Sequence, residues 1–281
     1  MRVVRSARRM AALSWRLRQK GKRLGVVPTM GALHEGHASL IRAAAAHNDV
    51  VIVTIFVNPL QFGPREDFSR YPRAFSQDLQ LARRAGADVV FAPSSQELYP
   101  PGFHTHVEVG PLGACWEGRA RPGHFSGVAT IVALLFHVTH PTNAYFGQKD
   151  YQQTLVVRRL VDELKIPVRI HVLPTVREPD GLALSSRHRY LSRRQRRQAT
   201  VLYQALCAAR RRIRSGERRS APIISEMKRL MRAAGVRVDY AAVADGRALR
   251  PQARLRGRVV VLVAGRVGRT RLIDNLLVDV P

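Results

Sequence analysis

A chain of 281 residues is long enough for one large domain or two smaller ones, and its 46% hydrophobic and 24% charged residues exclude a disordered or fibrous protein. No run approaches the ~20 apolar residues of a membrane-spanning helix, and two cysteines without a CxxC pair argue against a disulfide framework or a cysteine zinc site and indicate a reducing, cytoplasmic compartment. The net charge of +27 is the anomaly, because it is typical of proteins that bind nucleic acid, anionic membranes or phosphorylated ligands.

The positive charge is uneven along the chain. Residues 1–175 carry 22 basic and 12 acidic groups, a net of +10, whereas residues 176–281 carry 25 and 8, a net of +17. The first 23 residues hold nine basic groups and no acid, which is typical of a mitochondrial presequence or of a basic helix within the fold. Because a strand is predicted to begin directly at Leu24, we favour the helix.

Short β-branched runs alternate with helical patterns through the first half of the chain. The predicted strands are Leu24–Thr29, Val50–Val57, Asp88–Ala92, Asn143–Phe146 and Val168–Leu173. The predicted helices are Gly36–His47, Ser76–Ala85 (capped by Ser76 and ended by Gly86), Val128–His137 and Tyr151–Leu164. This alternation predicts an α/β domain over residues 1–175, built on a doubly wound, Rossmann-like parallel sheet that binds ligands at the carboxyl ends of its strands.

The pattern changes from about Val176, and residues 176–281 are predicted to form a smaller α+β domain. Its predicted helices are Ser192–Ser215 and Ala221–Ala234, and its predicted strands are Val236–Val243, Arg258–Val263 and Arg271–Ile273. The arginine runs Arg193–Arg197 and Arg210–Arg214 lie on the first helix. We interpret them as a solvated helix face rather than a nucleic-acid contact.

Two histidines follow the first of these strands. His34 and His37 stand three residues apart where the helix is predicted to begin, so one turn can present both rings on the same side. A helix N-terminus favours phosphate through its free N–H groups and its dipole, and Gly36 removes a side chain where a nucleotide would approach. The alternative is a pair of solvent-exposed histidines.

The loop after the second strand places Asn58 and Gln61 among apolar neighbours. Neutral amides in such surroundings suit a small hydroxy acid with a branched carbon skeleton. An ordinary Asn-Pro turn is the alternative interpretation.

Another candidate phosphate site follows the strand at Asn143. Gly147 permits close backbone approach, Lys149 supplies a positive charge, and Asp150 is placed to accept from ribose hydroxyls. A local ion pair between Lys149 and Asp150 is the alternative. Further along, Ser185, Ser186 and Arg187 follow an Asp-Gly turn, and hydroxyls beside a guanidinium form a phosphate clamp.

These motifs together resemble the pantothenate synthetase (pantoate–β-alanine ligase) family over nearly the whole chain. The stretches that carry the resemblance are PTMGALHEGH, IFVNPLQFG, Tyr71-Pro-Arg73, RPGHFSGV, FGQKDYQQ, DGLALSSR and the closing RLIDN. The family is similar to class I aminoacyl-tRNA synthetases in its nucleotide-binding half, and LHEGH and LALSSR would correspond to the HIGH-like and KMSKS-like motifs. The resemblance implies a Mg²⁺-assisted ligase in which pantoate attacks ATP to form pantoyl adenylate and pyrophosphate, after which β-alanine releases pantothenate and AMP.

The resemblance also implies residue roles. His34 and His37 would contact the phosphates, Lys149 would stabilise the pentavalent transition state, and Ser185, Ser186 and Arg187 would hold the phosphates as the second domain closes. The adenosine would lie against Gly147, Asp150 and Val176. Pantoate would be held by Gln61 and Gln153, with Met30 lining that pocket beside the ATP. Supporting positions would be Asn58, Tyr71 and Arg121.

Three further expectations complete this interpretation. Many members have Glu where this chain has Gln148, so position 148 is a poor candidate for an essential acid. Mg²⁺ would be held mainly by ATP phosphates and water, with Asp78 as a possible outer-shell contact. The resemblance also suggests a homodimer.

Two other functions stay open from the sequence. A nucleic-acid-binding protein with an adenylating fold would show affinity that falls steeply with salt, although the chain has no zinc finger or aromatic-rich RNA motif and only 6% aromatic residues. Another nucleotidyltransferase with the same histidine pair would differ in the acid that supports pyrophosphate release.

Overall fold

The computed structural model describes residues 1–64 and 66–281, which divide into two compact units. Residues 1–148 and 152–174 form the first unit, and residues 149–151 and 175–281 form the second. Within the described residues, no helix is both long and apolar enough to cross a membrane.

The first unit contains a six-stranded sheet whose neighbours are all paired in parallel. The strands are β1 (Arg2–Val4), β2 (Leu24–Thr29), β3 (Val50–Ile55), β4 (Val89–Phe91), β5 (Asn143–Gly147) and β6 (Arg169–Leu173). They stand in the order β1-β4-β3-β2-β5-β6. The strand order therefore changes direction between β2 and β5, and ligands of such sheets bind at the carboxyl ends beside that point.

Helices connect these strands, as the alternation predicted. They are α1 (Ala7–Gln19), α2 (Glu35–His47), α3 (Phe75–Arg84), α4 (Ser95–Leu98), α5 (Pro111–Ala114), α6 (Glu117–Ala120), α7 (His124–Thr139) and α8 (Tyr151–Glu163). α7 is buried along most of its length, which accounts for its nearly uninterrupted apolar sequence. Short 3₁₀ turns lie at Pro59–Gln61 and Gln148–Asp150. The predicted fold class is confirmed.

The helix favoured for the basic N-terminal segment is confirmed as α1. A short strand, β1, precedes it and pairs with β4, and the sequence did not predict it because a three-residue strand that begins at Arg2 leaves little pattern to detect. One local prediction in this unit is wrong. α3 is not capped by Ser76: its N-cap is Ala74, which makes no side-chain capping bond. Gly86 does end this helix with φ +101°.

The second unit packs helices against a three-stranded antiparallel sheet in the order β7-β8-β9. Its core is formed by buried aliphatic and methionine side chains of the helices and the sheet, such as Leu206, Ile213, Met227, Val261 and Val263. The elements are α9 (Arg193–Ala199), α10 (Val201–Arg214), α11 (Ser220–Ala233), β7 (Arg237–Asp245), β8 (Arg258–Val267) and β9 (Thr270–Asp279), with a 3₁₀ turn at Ser186–Tyr190.

The predicted single helix Ser192–Ser215 is wrong, because it is divided at Thr200 into α9 and α10. The Thr200 hydroxyl donates to the Arg197 carbonyl at 2.8 Å, and the Thr200 N–H approaches the same oxygen at 3.4 Å. A threonine that bonds a nearby backbone carbonyl competes with the helical ladder. Ser192 caps α9 reciprocally with Gln195, as a capping box.

The last predicted strand, Arg271–Ile273, is too short. β9 continues through the polar pair Asp274 and Asn275 as far as Asp279. Both side chains are buried, so they do not interrupt the strand.

Candidate functional site

The loop between β2 and α2 is fixed by a buried carboxylate. The N–H groups of Ala32 and Leu33 donate to the two oxygens of Asp78 at 2.9 and 2.7 Å. Gly31 has φ +81°, and a Cβ there would lie 3.0 Å from Asp78 Oδ2, so this position requires glycine. Asp78 therefore has a structural role in the loop, and the magnesium contact suggested for it stays a prediction.

The two histidines lie together at the start of α2, as their spacing predicted. Their ring centroids are 4.2 Å apart. The N–H of Gly36 donates to His34 Nδ1, and the N–H of His34 donates to His37 Nδ1, both at 3.2 Å. Because each Nδ1 accepts a hydrogen bond, each neutral ring carries its proton on Nε2. The pair thus presents two Nε2–H donors, the polarity that a phosphate oxygen requires.

Met30, Asn58 and Gln61 are brought together on one side of the same unit. Asn58 Nδ2 donates to Gln61 Oε1 at 3.1 Å, and Gln61 Nε2 lies 3.1 Å from Met30 Sδ. Asn58 is itself held by the hydroxyl of Tyr99, at 2.7 Å, and by the carbonyl of Gly127, at 3.0 Å. The amide oxygen of Gln61 is thus occupied, whereas its NH₂ contacts only a weak sulfur acceptor among these groups.

The backbone of Gln61 is held by a second group of residues. Arg121 and His124 Nδ1 both bond the Gln61 carbonyl, at 3.2 and 2.8 Å, and Glu66 forms an ion pair with Arg121. Since Arg121 also donates to His124 Nε2, at 3.1 Å, the neutral His124 ring donates through Nδ1. Burial and the adjacent guanidinium lower the pKa of His124 to about 4. Tyr71 packs its ring edge against Phe62 in the adjoining loop.

Gln153 forms no hydrogen bond with this group among the described residues. It is half-buried in the first turn of α8. Its neighbour Gln152 is 4% exposed and bonds the carbonyls of Leu112 and Cys115, at 2.8 and 2.9 Å, and the N–H of Glu117, at 3.1 Å. Sequence reasoning missed Gln152, since adjacent glutamines give no sign of which one is buried.

The carboxyl end of β5 is open at Gly147. A Cβ at this position would meet nothing within 4 Å among residues 1–64 and 66–281. The backbone is therefore open at this position, and the ligand contact expected there stays a prediction.

Lys149 and Asp150 belong to the second unit. Lys149 Nζ lies 3.4 Å from Asp150 Oδ1, so the local ion pair considered above does exist. The lysine side chain is 21% exposed and the aspartate side chain 48%. A pair this long and this exposed holds the lysine weakly.

A short hairpin in the second unit leads to Ser185, Ser186 and Arg187. The N–H of Leu184 donates to the Val176 carbonyl at 3.0 Å, and the turn is closed at Gly181 with φ +89°. Ser185 Oγ then accepts the N–H of Arg187 at 3.3 Å and caps the 3₁₀ turn Ser186–Tyr190. Val176 thus lies beside the start of the serine loop.

Residues that the sequence analysis did not assign support this hairpin. Arg177 forms two hydrogen bonds with the carboxylate of Asp274, at 2.6 and 2.9 Å, and lies 4.2 Å over the ring of Tyr203. His188, in the 3₁₀ turn, has its pKa lowered to about 4 by burial and by the charges of Lys149 and Arg196. It is therefore uncharged at neutral pH.

The described residues contain no cluster of three or more histidine, cysteine, aspartate or glutamate side chains that could hold a metal ion.

Comparisons with known proteins agree on one family. The family model described as Pantoate-beta-alanine ligase matches residues 2–277. Pantothenate synthetase of Moorella thermoacetica is 52% identical over 264 residues, which cover 94% of this chain and 93% of that protein.

Two crystal structures extend this similarity to the fold. That of pantoate–β-alanine ligase (pantothenate synthetase) from Thermus thermophilus is 49% identical, with a TM-score of 0.93 over 98% of this chain and 99% of that one. That of pantoate–β-alanine ligase from Francisella tularensis, complexed with β-γ ATP and β-alanine, is 36% identical, with a TM-score of 0.84 over 99% and 97%.

Proposed function

The chain belongs to the pantoate–β-alanine ligase family, and on this premise we propose that it condenses pantoate with β-alanine, using ATP. The pantoate carboxylate attacks the α-phosphorus and pyrophosphate leaves, which gives pantoyl adenylate. The β-alanine amine then attacks the acyl carbon, the bond to AMP breaks, and the amine loses a proton to solvent. The observation that carries this proposal is the family match over residues 2–277 together with the histidine pair and the Gln61 cluster that it contains.

Charge stabilisation is the main requirement of the first step, because negative charge accumulates on the phosphate oxygens in the transition state. We assign two groups to it. His34 and His37 donate through their Nε2–H groups to the triphosphate, and Lys149 neutralises the charge between the α- and β-phosphates. The fixed Nδ1 acceptor contacts of both rings support the first assignment, because they prevent each ring from presenting a lone pair instead.

Pantoate recognition is assigned to Gln61, with Met30 lining the pocket and Gln153 as a second amide. The Gln61 NH₂ group contacts only the Met30 thioether in the cluster described above. A carboxylate or hydroxyl oxygen is a far better acceptor than sulfur, so pantoate can replace that contact. Asn58 and Arg121 hold the Gln61 side chain and backbone, and Tyr71 borders the same loop.

The remaining assignments concern the nucleotide. Ser185, Ser186 and Arg187 bind phosphate, and Met30, Gly147, Asp150 and Val176 border the ATP. The capped 3₁₀ turn supports the first set, because it fixes the backbone around Arg187. The open space at Gly147 supports a nucleotide lying against the end of β5.

Magnesium enters, in this proposal, with ATP as the substrate complex. Phosphate oxygens and water would hold the ion, because Mg²⁺ keeps several waters and commonly binds through substrate phosphates.

A homodimer and a cytoplasmic location are also proposed. The family resemblance supports the first, and two cysteines that are free in the described chain support a reducing compartment. Sedimentation of the purified protein tests the dimer, because a homodimer should have twice the chain mass of 31.5 kDa.

Product analysis tests the proposed reaction. Purified protein with pantoate, β-alanine and Mg-ATP should form AMP, pyrophosphate and pantothenate in equal amounts. Replacing pantoate by other small hydroxy acids is the matched control and should abolish AMP formation. Formation of ADP instead of AMP, or AMP formation without pantoate, would contradict the proposal.

A further inference from the structure

The polar pair Asp274 and Asn275 occupies the middle of β9, one of the two edge strands of the second sheet. Adjacent residues of a strand point to opposite faces, yet these two are 3% and 2% exposed. Burying polar groups costs free energy unless hydrogen bonds compensate them. The hydrogen-bond partners of the two side chains therefore show which segments of the chain this pair fixes in place.

Asp274 holds the hairpin that leads to the serine loop. Its carboxylate accepts both hydrogen bonds of the Arg177 guanidinium, a bidentate arrangement that fixes orientation as well as distance. The same guanidinium donates to the carbonyl of Gly181, at 3.0 Å, in the turn of the hairpin. Arg177, in the first arm of the hairpin, thus links β9 to the turn of the segment that ends at Ser185.

Asn275 holds Lys149. Its Nδ2 donates to the main-chain carbonyl of Lys149 at 2.8 Å. The backbone of Asn275 is fixed in turn, because its own carbonyl accepts from Arg177 at 3.3 Å. Since the ion pair with Asp150 restrains the lysine side chain only weakly, the position of the ammonium depends on how firmly its backbone is held.

We propose that Asp274 and Asn275 are positioning residues for the adenylate-forming step. Asn275 fixes the backbone from which Lys149 extends, and Asp274 fixes, through Arg177, the hairpin that carries Ser185 and Arg187. The inference rests on the proposed function, because it assigns the two residues to groups of that reaction. Small displacements of such groups are costly, since misplacement by 1 Å can reduce a rate about 10²-fold.

The test separates positioning from folding by its kinetic pattern. We expect Asn275→Ala to lower kcat for AMP formation at least ~10-fold while KM for ATP changes less than ~3-fold, because the interaction lost is one that matters in the transition state. In a Lys149→Ala background the same substitution should lower kcat by less than ~2-fold, because residues that act through one group are not additive. Asp274→Asn should likewise lower kcat at least ~10-fold with little change in KM for ATP. In an Arg187→Ala background it should lower kcat by less than ~2-fold.

Two further variants control for folding. Asp279→Asn removes an exposed carboxylate of the same strand, which pairs with Arg258, and should leave kcat unchanged. Asn275→Leu preserves the side-chain volume and should repeat the kinetic defect of Asn275→Ala.

The outcomes distinguish the two hypotheses. Wild-type protein that forms no AMP would refute the proposed function itself. An active wild type with a folded Asn275→Ala variant of normal kcat would refute the positioning role, as would a defect that adds in full to that of Lys149→Ala. Failure of both Asn275 variants to fold would also contradict it, because the pair would then serve the fold alone.

Discussion

Buried polar side chains hold the backbone of the loops that carry the candidate site. Asp78, Gln152 and Asn275 are each at most 4% exposed, and each bonds main-chain groups. A buried polar group with such hydrogen bonds fixes the backbone that it contacts. The same group without a partner lowers the free energy of unfolding by about 1–3 kcal/mol. Asp78 thus holds the loop that leads to His34, and Asn275 holds the backbone of Lys149.

At two of the residues proposed to bind phosphate, we expect Lys149→Ala and His37→Ala each to lower kcat at least ~10²-fold, the scale of removing one donor to a transition state. Lys20→Ala and His47→Ala are matched controls, because both side chains are exposed. Steady-state AMP formation measures all four. Near-normal turnover of either site variant would refute the role given to that residue.

His124 predicts an acid-dependent loss of stability. Its pKa is about 4 in the folded chain, against about 6.5 when unfolded, so between these values the unfolded chain binds more protons. The free energy of unfolding should therefore be unaffected above about pH 6.5 and fall by about 3 kcal/mol as the pH approaches 4. His188 contributes with the same sign.

The contribution of His124 can be isolated by comparing denaturant unfolding of the wild type and His124→Gln across this pH range. An amide can both donate to the Gln61 carbonyl and accept from Arg121, but it does not titrate. The difference in the free energy of unfolding between the wild type and His124→Gln should shrink as the pH falls from 6.5 to 4. If the two proteins instead lose free energy of unfolding in parallel as the pH falls, the role given to His124 is contradicted. His104→Gln is the control, because His104 is exposed.

The sequence indicates the residues proposed to touch substrate more readily than the residues that hold the backbone around them. His34 and His37 are visible as a short motif because one turn of helix brings them together. Asp78 lies 46 residues from Ala32, and Asp274 lies 97 residues from Arg177. No spacing rule links such distant partners, so their roles emerge only from the fold.

Among the elements, the loop between β2 and α2 depends on one carboxylate. Asp78→Ala would leave the buried N–H groups of Ala32 and Leu33 without that acceptor, at a cost of about 2–4 kcal/mol in the free energy of unfolding. Because the same loop leads to His34, kcat should also fall. Asp162→Ala, which removes an exposed helical carboxylate, should change neither quantity. Unchanged stability of Asp78→Ala would refute the structural role of Asp78.

The sequence predicts that the arginine run Arg193–Arg197 is a solvated helix face, and the structure separates one of its residues from the rest. Arg193, Arg194 and Arg197 are exposed, whereas Arg196 forms two hydrogen bonds with Asp180, at 2.8 and 3.1 Å, in the turn of the hairpin. The triple replacement of the exposed three by Gln should leave kcat within ~2-fold of the wild type, as solvated charges contribute little.

Arg196→Gln should lower kcat more than this triple replacement does, because it releases the turn that precedes Ser185. Steady-state AMP formation measures kcat of both variants. A larger loss in the triple variant would contradict this division of the arginines.

The strong periodic elements are the predictable part of the fold. Four helices and five strands of the first unit follow from apolar runs and their spacing, and they fix the parallel sheet and its carboxyl edge. The division at Thr200 and the length of β9 do not follow, because each depends on which hydrogen bonds the polar residues find. At Thr200, the side-chain hydroxyl competes with the hydrogen bonds of the helix backbone. In β9, buried hydrogen-bond partners satisfy the polar side chains of Asp274 and Asn275, so the strand continues through them.

For the whole molecule, the excess of arginine is not neutralised within the chain. Of the eight acidic residues in 176–281, six form ion pairs with arginine, namely Asp180, Glu217, Glu226, Asp239, Asp274 and Asp279. Six acids cannot offset 25 basic groups, so a net positive field remains. Such a field favours the capture of anions, and ATP and pantoate are both anions.

The central claim, that the chain activates pantoate as an adenylate before β-alanine reacts, is tested most directly by omitting β-alanine. With pantoate and Mg-ATP alone, we expect one equivalent of pyrophosphate per active site to appear in a single burst. Adding β-alanine should then release pantothenate and AMP in the same amount. Pyrophosphate formation that requires β-alanine from the start would contradict the account.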